Sequence, residues 1–177
     1  MNIAYIEYSI ATSSLDIFVT GCNKPYCKDC YNAELFDFCS GDDWRTHMTY
    51  LNSYLTVYDT MFKNIFLLGG SPNHQKTEDI SCLLGFLHRF NKDIWLYTGY
   101  TWEQILIQDQ IYEDHEVNSP SALDVVKYCD VIVDGPYMEE LRDTTLAFRG
   151  SSNQRIIDVK NTLKVMKFKP NRIVTLQ

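Results

Sequence analysis

The chain has 177 residues, of which 45% are apolar and 22% charged, and a formal charge of −7. That length supports one domain, residues 1–177, around one buried core, and the acidic balance excludes a nucleic-acid backbone as the main partner. No window approaches the ~18 apolar residues of a membrane span. The opening Met1-Asn2-Ile3-Ala4-Tyr5-Ile6-Glu7 lacks the basic start and apolar core of a secretory signal. A cytoplasmic, reducing setting is therefore expected, with the six cysteines present as thiols rather than disulfides.

In chain order, residues 1–14 read as a short strand and turn, and the apolar run of residues 15–20 as a buried strand. It leads straight into Gly21-Cys22-Asn23-Lys24-Pro25-Tyr26-Cys27-Lys28-Asp29-Cys30-Tyr31-Asn32. From Asp42, the residues Trp44, Met48, Leu51, Leu55, Tyr58 and Phe62 recur at steps of four and three, which predicts one amphipathic helix with Asp42 and Asp43 at its start. Ile65-Phe66-Leu67-Leu68 predicts a strand ending in the turn Gly69-Gly70-Ser71-Pro72. Thr77 is expected to cap a helix that buries Ile80, Leu83, Leu84 and Leu87, with Cys82 beside the stripe.

A third strand, residues 94–97, precedes the turn Thr98-Gly99-Tyr100 and a helix opened by a capping box, Thr101 with Gln104. Residues 112–118 read as a surface connection, and Ser119-Pro120 as the start of a helix carrying Leu123 and Val126. Val131-Ile132-Val133 predicts a strand running into Asp134-Gly135-Pro136, followed by a long polar loop over 138–153 with at most one helical turn. Residues 155–159 and 172–176 read as closing strands. Strands alternating with amphipathic helices imply a mainly parallel α/β sheet covered on at least one face. The loops leaving the strands' C-terminal ends then gather on one side, where ligands bind in such folds.

The cysteine loop is the chemical core of the sequence. Three thiolates on one short loop can hold three irons of a cubane cluster and leave the fourth without a protein ligand, so Cys22, Cys27 and Cys30 are candidate cluster ligands. Adding Cys39 gives four thiolates, a set that also suits tetrahedral zinc, and free core thiols are the third alternative. Lys24 and Lys28 on this loop read either as solvated charges or as a greeting surface for an acidic electron donor.

The C-x4-C-x2-C spacing resembles the C-x3-C-x2-C loop of radical S-adenosylmethionine (SAM) enzymes, with one extra residue between the first two cysteines. Together with Leu-Tyr-Thr-Gly-Tyr at 96–100, Asp-Gly-Pro at 134–136 and Arg-Gly-Ser-Ser-Asn-Gln-Arg at 149–155, it resembles the activating proteins of anaerobic ribonucleoside-triphosphate reductase, over most of residues 15–159. The resemblance implies a shortened, open radical SAM-type (β/α) partial barrel. It implies a [4Fe-4S] cluster on Cys22, Cys27 and Cys30, SAM at the open iron, and a 5′-deoxyadenosyl radical that takes hydrogen from a glycine of the reductase large subunit. A low-potential donor such as flavodoxin or ferredoxin would supply the electron. Asp29 and Tyr31, flanking the third cysteine, are then expected along SAM, and Gly69 and Gly70 at its methionine end, where backbone must approach closely. Ser71 stands where relatives usually carry an acid. For Gly69-Gly70 the plain alternative is a tight turn, for Asp134 a buried carboxylate satisfied by donors of the fold, and for 149–155 a solvated loop.

Overall fold

The computed structural model describes residues 1–23, 27–114, 122–169 and 172–176. Among them seven strands form one mixed sheet: β1 (Asn2–Ser9), β2 (Ser14–Val19), β3 (Asp42–Asp43), β4 (Asn64–Gly69), β5 (Asp93–Tyr97), β6 (Val131–Asp134) and β7 (Arg155–Asp158). The strand order is β3-β1-β2-β4-β5-β6-β7. Only the β2-β4-β5-β6 centre is parallel; β1 pairs antiparallel with both β2 and β3, and β7 antiparallel with β6. The sheet is thus mixed rather than mainly parallel. The reason is local: β1 and β2 are joined by a tight turn with Ser13 in the left-handed region, and such a short link can only reverse the chain.

Five helices, α1 (Met48–Val57), α2 (Thr77–Leu87), α3 (Trp102–Asp114), α4 (Ala122–Lys127) and α5 (Val159–Met166), contribute buried side chains to one cluster with one face of the sheet. Leu15 and Ile17 of β2, Ile65 and Leu67 of β4, Ile94 and Leu96 of β5, Ile132 and Ile157 meet Leu51, Leu55, Leu83, Leu87, Ile105 and Val126 there. Burying each such side chain stabilises the fold by roughly 1.5–3 kcal/mol, which is why the alternate residues of each strand are so uniformly apolar. The opposite face carries Phe66, Trp95, Val131, Val133 and Ile156, and the loop over 138–153 places Phe148 on Trp95 there, at 4.9 Å between ring centres.

Several expectations change in detail. Residues 42–62 are not one helix: Asp42 and Asp43 pair with β1, a 3-10 turn spans Trp44–His47, α1 follows, and a second 3-10 turn spans Asp59–Met61. The apolar spacing nonetheless holds for burial, because Trp44, Leu51, Leu55 and Phe62 all reach the core, while Tyr58 is exposed. Asp43 does cap, accepting from the Arg45 backbone N–H at 2.8 Å. Thr77 is the first residue of α2 rather than its cap, which falls at Lys76. Cys82 is exposed on α2. Residues 172–176 make one isolated bridge, Thr175 to Ile157, and no strand, whereas α5, absent from the sequence reading, starts at an Asp158 cap that accepts from the Asn161 N–H. Residues 112–114 belong to α3, and the Ser119-Pro120 cap lies outside the described residues.

Candidate functional site

An open cavity of about 250 Å³ sits where β2, β4, β5 and β6 end. Cys22, Cys27 and Cys30 line it together with Gly69, Gly70, Ser71, Thr98, Gly99 and Gly135, so all four strand-end loops meet there as expected. Also in the lining are Asn32, Tyr97 and Gln154, which stand in the sequence motifs without an assigned role of their own, and Phe36 and Tyr137, which the sequence did not single out. Asp29 and Tyr31 lie outside it: Asp29 is exposed in a left-handed conformation, φ +58°, and Tyr31 is 91% exposed. Cys39 is exposed and also outside the lining, and Cys129 is buried in the core.

Backbone hydrogen bonds hold the cysteine loop. Gly21 N–H donates to Leu35 C=O at 2.8 Å and Cys22 N–H to Phe36 C=O at 3.1 Å, so the 3-10 turn Ala33–Leu35 and the residue after it carry the loop's start. Cys30 N–H donates to Cys27 C=O at 3.1 Å, closing the C-x2-C turn that brings the second and third thiols to the cavity. Burial first, and then the Cys27 and Cys22 thiols nearby, push the Cys30 thiol above its ordinary value. A bound metal reverses that effect by stabilising the thiolate. Lys24 lies outside the described residues, and Lys28 is exposed.

The Gly69-Gly70 turn explains itself at close range. Gly69 has φ +99°, and a Cβ on Gly70 would lie 2.6 Å from Gly21 O and 2.9 Å from Gly21 N. Glycine here lets the β4 turn press against the residue preceding Cys22, and Gly70 N–H to Val19 C=O (2.7 Å) and Ser71 N–H to Gly21 C=O (2.9 Å) seal the contact. The Gln75 amide reinforces it, donating to Thr20, Gly21 and Ser71 carbonyls at 2.8, 3.2 and 3.1 Å. A glutamine six residues beyond a strand end carries no sequence signal for such a role.

The far wall, lined by Gly135, Tyr137 and Gln154, is braced from behind by charged side chains. Asp134, fully buried, accepts from the Trp102 N–H at 2.7 Å and from the Arg155 guanidinium, which also forks onto Glu103 at 2.8 and 3.0 Å. Gln154 accepts from Gly150 N–H at 2.9 Å and Ser151 N–H at 3.2 Å and donates to Gly135 C=O at 3.3 Å, while Arg149 donates to Gln154 C=O at 3.0 Å. The Arg-Gly-Ser-Ser-Asn-Gln-Arg segment therefore folds onto itself and onto the β6 turn, with Ser151 fully buried, instead of lying solvated. Tyr137 donates its hydroxyl to Glu139 at the cavity's edge.

The side chains suit a cluster and a ligand at its open iron. Three thiols from one loop line one cavity, yet among the described residues no three His, Cys, Asp or Glu side chains converge at single-ion distance. A cubane puts each thiolate on a different iron, so its cysteines stand farther apart than the ligands of one ion. Beside them, Ser71 is 3% exposed and its hydroxyl has no partner, an orphaned polar group in the cavity lining that a ligand's donor would satisfy.

The model of the 4Fe-4S single cluster domain matches residues 13–157, the span that carries the three-cysteine loop and most of the α/β sheet, and so places the chain among iron–sulfur proteins. The anaerobic ribonucleoside-triphosphate reductase-activating proteins of phage T4 (35% identical, 79% of this chain and 80% of the relative), Vibrio cholerae (34%, 79% and 84%) and Pasteurella multocida (31%, 79% and 84%) are similar to it. The chain belongs to the family of anaerobic ribonucleoside-triphosphate reductase-activating proteins. No solved structure matches it.

Proposed function

We propose that this chain is a glycyl-radical-activating enzyme whose cluster is held by Cys22, Cys27 and Cys30 and whose protein substrate is an anaerobic ribonucleoside-triphosphate reductase. The observation that carries this reading is the convergence of the three loop thiols, the Gly69-Gly70 turn and the orphaned Ser71 hydroxyl on one cavity. When bound, the [4Fe-4S] cluster supplies the electron that splits SAM into methionine and a 5′-deoxyadenosyl radical, which takes a hydrogen atom from a glycine of the reductase.

The chain's own contribution is binding, orientation and exclusion of side reactions. The glycine turn keeps side chains out of the methionine end, and the Ser71 hydroxyl accepts from the ligand's ammonium group. Asp29 and Tyr31, at the exposed outer side of the loop, complete the ligand's surroundings when the cavity is filled, and the open sheet acts as a shortened (β/α) partial barrel. The loop at 138–153 meets the reductase, and a flavodoxin- or ferredoxin-like donor in the cytoplasm approaches the cysteine loop near Lys28.

The test is anoxic reconstitution of single Cys→Ala variants, followed by reductant-driven SAM cleavage and electron paramagnetic resonance of the mixture with the reductase. Loss of the cubane in Cys22, Cys27 and Cys30 variants only, with a glycyl signal from the unaltered chain, is the expected result. Equal loss in Cys39→Ala would return the assignment to a four-thiolate site, and absence of SAM cleavage under every reducing condition would end the enzymatic reading.

A further inference from the structure

Beyond the Gln75 contact to Gly21, a second side chain of the β4 turn, His74, grips the cysteine loop on the far side of Cys22. Its Nδ1 accepts the Asn23 N–H at 3.1 Å, one residue after Cys22, and its Nε2 lies 2.9 Å from the Tyr100 hydroxyl. The two rings also meet edge to face, 5.2 Å between centres and 82° between planes. Tyr100 in turn accepts Gly135 N–H on its carbonyl at 2.9 Å, and its own N–H donates to Thr98 Oγ1 at 3.2 Å. One path of hydrogen bonds therefore runs from the cysteine loop through His74 to the β5 turn and on to the β6 turn, touching all four loops that build the cavity.

We propose that His74 is a positioning residue that latches the exit of the chain from Cys22 to the β5 turn. The inference rests on the reading of Cys22, Cys27 and Cys30 as cluster ligands. A backbone N–H can only donate, so the ring must present a lone pair at Nδ1, and its single proton then sits on Nε2 and points at Tyr100. The imidazole is held in one tautomer and one orientation by partners on two different loops. That matters here because the interval between the first two cysteines is one residue longer than in the C-x3-C-x2-C loop it resembles. A longer interval has more conformations to lose when its two cysteines are brought onto one cluster. Fixing the direction in which the chain leaves Cys22 removes part of that cost before any iron arrives, as supporting groups do around other pre-organised sites.

Two measurements on the unaltered apo-chain come first. Nitrogen-15 resonances of the histidine side chains should show His74 as the Nε2–H form with an accepting Nδ1, and the Asn23 amide should be protected from hydrogen exchange. His74→Leu should abolish that protection and release iron to a chelator about tenfold faster after anoxic reconstitution, the consequence of losing one hydrogen bond of about 1.4 kcal/mol. His74→Asn, which keeps an acceptor near Nδ1, should restore most of the retention, and Tyr100→Phe should fall between the two. The electron paramagnetic resonance line shape of the reduced cluster should broaden in His74→Leu and sharpen again in His74→Asn.

A proton on Nδ1 in the unaltered chain, or an Asn23 amide as protected in His74→Leu as before, overturns the latch. Should His74→Leu fail to fold, His74→Asn and Tyr100→Phe still decide it: loss of Asn23 protection in the tyrosine variant but not in the asparagine variant supports it, and the reverse overturns it. If the unaltered chain takes up no iron, the cluster reading fails, while the tautomer and the amide protection continue to report on the latch by themselves.

Discussion

The two walls of the cavity are held together by different means. On the cysteine side, β2 and β4 end in loops joined by main-chain hydrogen bonds, Gly70 to Val19 and Ser71 to Gly21, across a contact so close that no Cβ fits between them. On the far side, β6, β7 and α3 are joined by a buried carboxylate, a guanidinium and a second carboxylate. The near wall, where three thiols line the cavity, takes most of its cohesion from main chain, with the Gln75 amide as reinforcement. On the far wall, charged groups fix the angle at which three elements meet. The difference teaches where each wall is vulnerable: the near one to added atoms, the far one to lost charge.

The largest effect should come from the far wall. Asp134→Ala strips the Arg155 guanidinium and the Trp102 N–H of their buried acceptor, and breaking a buried pair by removing one partner costs about 3–5 kcal/mol. Urea unfolding should show the loss at neutral pH, and a loss below about 1 kcal/mol would mean that water replaces the carboxylate and that the wall is less dry than its geometry indicates.

Next in size is Gly70→Val on the near wall. The sequence invites the expectation that such a change weakens SAM binding while the fold survives. With a Cβ only 2.6 Å from Gly21 O, the added side chain meets main chain that cannot step aside, and overpacking of this kind costs about 1–3 kcal/mol. The variant should lose both stability and cluster retention, and retention unchanged at full stability would show that the β2 and β4 turns can part without cost. Gln75→Leu is the milder probe of the same wall. It leaves the Thr20, Gly21 and Ser71 carbonyls without their shared amide donor, and about 1–2 kcal/mol is the expected loss, read from the same unfolding curves.

The near wall was largely legible in the sequence and the far wall only in part: Asp134 could be read as a buried carboxylate satisfied by donors of the fold, but not which donors. Cysteine spacing after an apolar run, and two glycines after another, are signals carried by neighbours in the chain, so the cavity's cysteine side could be placed from residues 15–32 and 65–72. The far wall depends on Glu103, Asp134 and Arg155, which meet only because β6 and β7 pair with Asp134 opposite Arg155 and α3 starts beside them. Nothing local announces that. The same limit explains residues 42–62, where a 3.6-residue period gave most of the buried side chains, Tyr58 excepted, but concealed two 3-10 turns, since those turns rotate successive side chains by similar angles. It explains α5 as well: Val159, Leu163 and Met166 pack on the core, but the lysines between them masked the stripe.

The smallest expected effect separates the two carboxylates of the far wall. Hydrogen bonds from Arg155 hold the Glu103 carboxyl below its ordinary range, although the side chain is half exposed. Because the folded-state value is depressed, its contribution to stability is fully present above the unfolded value, about 4.3, and is lost as pH falls through the folded one. Glu103→Gln should therefore lower the urea midpoint slightly at pH 7, and the gap from the unaltered chain should close as pH falls below about 4. Solvent screening keeps the neutral-pH difference within about 1 kcal/mol, well under that of Asp134→Ala. Arg155 keeps its buried partner throughout, so the variant isolates the exposed arm of the fork. If Glu103→Gln proved as damaging as Asp134→Ala, the two carboxylates would be acting as one unit, and the far wall would be a single cooperative ion cluster, not a buried pair with an exposed brace.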